Sequence, residues 1–225
     1  MNDIQTIEKN IITVENPIEY KLDYASQVPA SADKSFTFVD ALRAILRQNP
    51  NVIMLGEIRD AETGVVAAEA PLTGNLVLST ILASDAIGAI FRLISLGVPP
   101  YWIASTLIGV VYQQLVRKIC PSCKEDYQPT ETEISAFVNL LSGQEKFSRG
   151  KGCDKCDGSG YLGRTAVHEI LIINDLIKDL IYQNASILKI KDAARASGFQ
   201  NIFHDTIAKT KAGITTVSEL YRALG

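Results

Sequence analysis

Three short apolar runs, separated by helical patterns, constrain this chain most. They are "IITVEN" at 11–16, "VIMLGEI" at 52–58 and "NLVLSTI" at 75–81, all rich in β-branched and aliphatic residues. Between the first two lies "FTFVDALRAILRQ" at 36–48, where Phe38, Leu42, Ile45 and Leu46 share one helical face. Ser35 or Thr37 can cap that helix and Asn49-Pro50 stops it, which leaves Arg43 and Arg47 one turn apart on another edge. Strands alternating with helices predict an α/β fold with a mostly parallel sheet.

The second run, within "NVIMLGEIRD", ends in Glu57, followed by Arg59 and Asp60. Ligands of open α/β sheets sit outside the carboxyl ends of the strands, so an acid there suits a magnesium ion beside a nucleotide phosphate. A phosphate cradle would read G-x-x-x-x-G-K-[ST] after a strand and at the start of a helix. The nearest match, "GSGYLGRT" at 158–165, has Arg164 in place of lysine, follows a cysteine pair and runs into a strand. Its glycines read as turn residues.

With 225 residues and 47% apolar content the chain can bury a core as one domain or two modest ones. Its formal charge of -3 argues against a general nucleic-acid binder, and no nucleic acid is expected as a partner. The start, "MNDIQTIEKN", lacks the apolar stretch of a secretory signal, and the four cysteines suit a reducing compartment, so a cytoplasmic setting is expected. Leu93 to Val116 is free of charge for 24 residues, but Pro99 and Pro100 interrupt it, and a buried helix beginning near Tyr101 is the better reading.

Cys120-Pro-Ser-Cys123 and Cys153-Asp-Lys-Cys156 have the spacing of two metal knuckles. Four thiolates suit a structural zinc ion with no open position for water. The 29 residues between the pairs cost little, because closure entropy grows slowly with loop length. Beyond them come an apolar strand, "RTAVHEILII", and helices beginning at Asn174 and Ser186; a last helix carries a capping box from Thr216 to Glu219.

Taken in order, "ITVENPIEY", "LRQNPNVIMLGEIRD", "LTGNLVLSTILASDA", "LVRKICPSCKEDY" and "GCDKCDGSGYLGRTAVHEIL" resemble the carboxyl-terminal half of the type II secretion and type IV pilus assembly ATPases. The resemblance covers nearly the whole chain. It implies a partial RecA-like (P-loop NTPase) domain at 1–118, a tetracysteine zinc-binding element at 119–165, and a strand plus helical subdomain at 166–225. It further implies a hexameric motor that hydrolyses ATP with Mg2+ at the cytoplasmic face of the inner membrane, working with the inner-membrane platform and cytoplasmic-ring proteins of a secretion or pilus machine.

Within that resemblance Glu15 is the candidate to polarise the attacking water and Glu57 the Walker B acid near magnesium. Arg43, Arg47 and Arg59 are candidates to contact phosphate or a neighbouring subunit. The family's P-loop would lie just before Met1, so a sheet edge is expected to be bare or covered by another segment. Several positions depart from the family pattern: Asn16 and Asn51 stand where aspartates are usual, Asn75 and Leu82 where the histidine box has histidines, and Pro71 where a helix former is usual. The chain alone is therefore expected not to hold ATP and Mg2+ tightly or to hydrolyse ATP. The alternative is a non-catalytic, zinc-containing module that associates with an intact secretion ATPase.

Overall fold

A computed structural model of the chain describes residues 8–30, 37–135 and 146–224. Elements follow in the order β1 (Ile11–Glu15), β2 (Ala25–Pro29), α1 (Phe38–Leu46), β3 (Val52–Leu55), α2 (Ala61–Glu69), β4 (Leu76–Ser79), α3 (Ala86–Ser95) and α4 (Pro100–Thr106). Next come β5 (Gly109–Ile119), β6 (Lys124–Tyr127), α5 (Glu131–Ile134), β7 (Phe147–Gly150) and β8 (Tyr161–Ile172). Four helices complete the chain: α6 (Asp175–Tyr182), α7 (Ile187–Ala196), α8 (Ile202–Lys211) and α9 (Val217–Leu224). The chain divides into two compact units, residues 1–110 with 172–194 and residues 111–171 with 195–225. No described helix is long and apolar enough to cross a membrane.

The first unit holds a four-stranded sheet in the order β2-β1-β3-β4, and every neighbouring pair is parallel. The α/β expectation with a parallel sheet is met. The three runs read from sequence supply β1, β3 and β4. The fourth strand, "ASQVP", matches none of the apolar runs in the sequence: it has little apolar content and ends in Pro29. Proline is tolerated because β2 lies at an edge of the sheet. Among the described residues β4 pairs with β3 alone, so it forms the other edge.

Ile12, Val14, Ile53 and Leu55 point from β1 and β3 into a core shared with Leu42 and Ile45 of α1 and Val66 and Ala67 of α2. Fully burying each large aliphatic side chain stabilises the fold by about 1.5–3 kcal/mol. Helix α1 starts in a capping box: Asp40 N–H donates to Thr37 Oγ1 at 3.2 Å, and Thr37 N–H to the Asp40 carboxylate at 3.2 Å. Ser35, the other proposed cap, lies outside the described residues. The helix ends before Asn49, which takes a left-handed backbone with φ 52. The charge-free stretch 93–116 resolves into the end of α3, α4 and most of β5, with Ile103 and Ala104 buried.

In the second unit β5 pairs with β8, and β6 pairs antiparallel with β7. Val116 and Val167 pack with Ile202, and Phe147 packs with Ile207, Val217 and Leu220. The capping box proposed at Thr216 is half made. Glu219 N–H donates to Thr216 Oγ1 at 3.2 Å, but the Glu219 carboxylate accepts instead from Arg117 and Arg222. Two nearby guanidinium groups outcompete a single backbone N–H for a buried carboxylate.

Candidate nucleotide cleft and metal centre

Because β1 and β3 are parallel and adjacent, with Val14 opposite Leu55, both carry their following residues to the same edge of the sheet. Glu15 and Glu57 therefore line one cleft of about 430 Å³, together with Glu19, Tyr20, Ser79 and Thr80. Thr80 closes its floor: its hydroxyl donates to Gly56 O at 2.7 Å, and its carbonyl accepts from Ile58 N–H at 2.8 Å. That fixes the turn bearing Glu57 against the end of β4.

The two acids are held differently. Glu15 Oε1 accepts from Thr13 Oγ1 at 2.6 Å and Gln27 Nε2 at 2.9 Å. Glu57 Oε1 pairs with Arg59 Nη2 at 2.5 Å, and this hydrogen bond holds the Arg59 guanidinium above its ordinary pKa. Three carboxylates line the cleft with three hydroxyls, those of Tyr20, Ser79 and Thr80, and among the described residues no lysine or arginine lines it. These groups fit a hydrated divalent cation and supply no counter-charge for phosphate.

The arginines separate. Arg59 reaches the cleft's edge through Glu57. Arg43 Nη2 pairs with Glu62 Oε1 at 3.0 Å, which joins α1 to α2. Arg47 caps the carboxyl end of α1, beside Gln48 and Asn49, whose carbonyls accept from Asn10 Nδ2 just before β1. It thus lies at the amino end of the strands, and neither Arg43 nor Arg47 lines the cleft.

Three of the positions singled out from the sequence, Asn51, Pro71 and Asn75, have structural roles. Asn51 Oδ1 accepts from Asn10 N–H at 2.7 Å, locking the entries to β1 and β3. Asn75 Nδ2 donates to Ala70 O at 3.2 Å and Thr73 Oγ1 at 2.8 Å, bracing the turn before β4. Pro71 sits at the start of a 3-10 turn over Ala70–Thr73, where its missing N–H costs nothing. Leu82 is exposed, at 84%.

The second unit carries the tetracysteine group. The four Sγ atoms of Cys120, Cys123, Cys153 and Cys156 lie within 4.8 Å of one another, with separations of 3.9 Å for Cys120–Cys153 and 3.8 Å for Cys123–Cys156 and Cys153–Cys156. A tetrahedron of sulfurs each about 2.3 Å from zinc has edges of about 3.8 Å, so the sulfurs fit zinc. Backbone N–H groups of Cys153 and Gly160 donate to Cys156 Sγ at 3.3 Å each. Burial alone would raise the Cys156 thiol, but these donors outweigh it and bring it down to about 7, whereas burial pushes Cys123 up to about 12.

Glycines let the two knuckles close. A Cβ on Gly150 would come within 2.1 Å of Gly160 O, and one on Gly160, at φ 76, within 2.3 Å of Gly150 O. Cys120 N–H also donates to Gly160 O at 2.9 Å. Gly158 and Gly160 of "GSGYLGRT" thus serve the turns around the sulfur cluster, in keeping with their reading as turn residues, whereas Gly163 falls inside β8 at φ 76.

A family model described as Type II/IV secretion system protein matches residues 1–222. The chain belongs to this family. It is 43% identical to Type II secretion system protein E of Pseudomonas aeruginosa over 214 residues, covering 95% of this chain and 42% of that protein. It is 42% identical to the Type IV pilus assembly ATPase PilB of Thermus thermophilus, covering 96% of this chain and 25% of that protein. The chain thus spans less than half the length of either relative. A crystal structure of the pilus retraction motor PilT with bound ADP superposes with a TM-score of 0.68 at 26% identity, over 95% of this chain and 52% of that one.

Proposed function

We propose that this chain is the carboxyl-terminal portion of an ATPase motor that powers type II protein secretion or type IV pilus assembly, and that the Glu15–Glu57 cleft is its nucleotide-facing end. The observation that carries the reading is the delivery of both acids to one cleft at the carboxyl ends of parallel strands. Glu57 would stand near magnesium, and Glu15 would orient and polarise the attacking water. When bound, magnesium would neutralise charge developing on the transferred phosphoryl group. Arg43 and Arg47, which do not line the cleft, are assigned to contacts with a neighbouring subunit, and Arg59 to the cleft's edge. In this reading the motor is a homo-oligomer, a hexamer as in the family, and works peripherally at the cytoplasmic face of the inner membrane with platform and cytoplasmic-ring proteins.

Among the described residues the cleft lining has no cationic side chain, and the sequence has no G-x-x-x-x-G-K-[ST] cradle. Micromolar ATP affinity needs about 8 kcal/mol. Charge-assisted hydrogen bonds supply about 1.5–3 kcal/mol each, so losing a cradle of several removes most of that affinity. The 225 residues by themselves are therefore proposed to be inactive. A fluorescent ATP analogue titrated into zinc-replete protein, with phosphate release followed in parallel, should show neither micromolar binding nor turnover. Turnover abolished by Glu57→Gln would overturn the inactivity and require a phosphate site elsewhere in these residues.

The tetracysteine group favours a second reading, a zinc-containing module that joins intact relatives without catalysis. Co-purification with an intact secretion ATPase, with no gain in its turnover, would favour the module.

A further inference from the structure

We infer that Thr13 and Gln27 are positioning residues that hold one oxygen of Glu15 and leave the other for the cleft. The inference rests on the reading of Glu15 as the acid that faces the reacting phosphate. Thr13 and Glu15 are two apart on β1, so their side chains leave the sheet on the same face. Thr13 is paired with Gln27 of β2 in the parallel register, which brings three polar side chains together on that face.

Their bonding is asymmetric. Thr13 has no exposed surface, and a buried hydroxyl needs an acceptor; Glu15 Oε1 provides it at 2.6 Å. Gln27 Nε2 donates to the same oxygen at 2.9 Å. The amide of Gln27 is itself fixed, because Nε2 also donates to Tyr20 O at 2.9 Å and Oε1 accepts from Leu22 N–H at 2.9 Å. The loop between β1 and β2 thereby orients Gln27, and Gln27 with Thr13 orients Glu15. Glu15 Oε2 accepts no hydrogen bond from a described residue, so it is the oxygen left to accept a proton from, or align, a water in the cleft.

This arrangement removes rotamer freedom that a half-buried glutamate at a strand end would otherwise keep, and a reacting group gains from being ordered before its substrate arrives. The chemistry of the two donors is specific. Valine at 13 would keep the shape of threonine without its hydroxyl. Glutamate at 27 would keep the length of glutamine but set a second carboxylate against the first.

Three-bond couplings from Glu15 Cγ to its backbone nitrogen and carbonyl carbon, measured by NMR on the 225-residue protein, test the inference. The wild-type protein should show the couplings of a single rotamer. Thr13→Val and Gln27→Glu should each collapse them toward averaged values, and Thr13→Ser, which keeps the hydroxyl, should restore the single-rotamer pattern. Gln27 lies on an edge strand, so Gln27→Glu decides the matter should Thr13→Val fail to fold. Averaged couplings in the wild-type protein, or a locked Glu15 in both variants, would overturn the inference. A locked Glu15 in a protein whose cleft proves indifferent to nucleotide would sink the functional reading while leaving the positioning intact.

Discussion

Glu219 shows how much a single side chain can carry in this chain. Its carboxylate has no exposed surface and accepts from Arg117 N, Nε and Nη2 and from Arg222 Nε and Nη2, at 2.6 to 2.8 Å. Burial would raise its pKa, but the hydrogen bonds from Arg222 and Arg117 reverse that and hold it at about 2 against an ordinary 4.5. A carboxyl lowered on folding stabilises the protein fully above its unfolded value, and loses that contribution as pH falls through 4.5 toward 2. Acid titration of stability should therefore show a steep loss in that window, and Glu219→Gln should flatten it. The same variant should cost about 2 kcal/mol at neutral pH, because both arginines are about half exposed and water partly replaces the lost partner. Unchanged pH dependence in denaturant melts of the variant would contradict the assignment.

At the scale of elements, apolar packing and surface charge pull apart. Leu42 is fully buried between α1 and the sheet, so Leu42→Ala should destabilise the fold by about 2–5 kcal/mol, read from denaturant midpoints. The Arg43–Glu62 pair links the same helix to α2 with side chains 58% and 62% exposed, so Arg43→Ala should cost under about 1 kcal/mol, and less still in high salt. What was legible in the sequence follows this division. Helix α1, its Thr37 cap and the strands β1, β3 and β4 could be read because local periodicity and capping chemistry decide them. Strand β2 could not, since "ASQVP" becomes a strand only through its register with β1. Gln27 and Thr13 were missed for the same reason: nothing in the sequence shows that residues 14 apart face one another across a sheet. Arg43 and Arg47 share a helix edge in sequence, yet one meets Glu62 and the other the amino ends of the strands.

For the molecule as a whole, the cysteines were the most legible feature, because two C-x-x-C pairs announce their chemistry through spacing alone. One zinc per chain at Cys120, Cys123, Cys153 and Cys156 is the expected content, and a strong chelator should lower the melting temperature, since metal binding to such a site is folding energy. Gly150→Ala should lower zinc content and stability together, because its Cβ would meet Gly160 O at 2.1 Å between the two knuckles. A protein with well under half an equivalent of zinc, or one indifferent to chelation, would contradict the metal assignment. The central claim concerns the other unit, where parallel strands deliver Glu15 and Glu57 to one cleft. Its most direct test is a map of amide shifts on adding Mg-ADP to about 1 mM, a concentration that detects binding worth about 4 kcal/mol. Shifts gathered at Asn16, Gly56, Glu57, Ser79 and Thr80, and lost in Glu57→Gln, are predicted; shifts gathered elsewhere, or none at all, would contradict the claim that this cleft meets nucleotide.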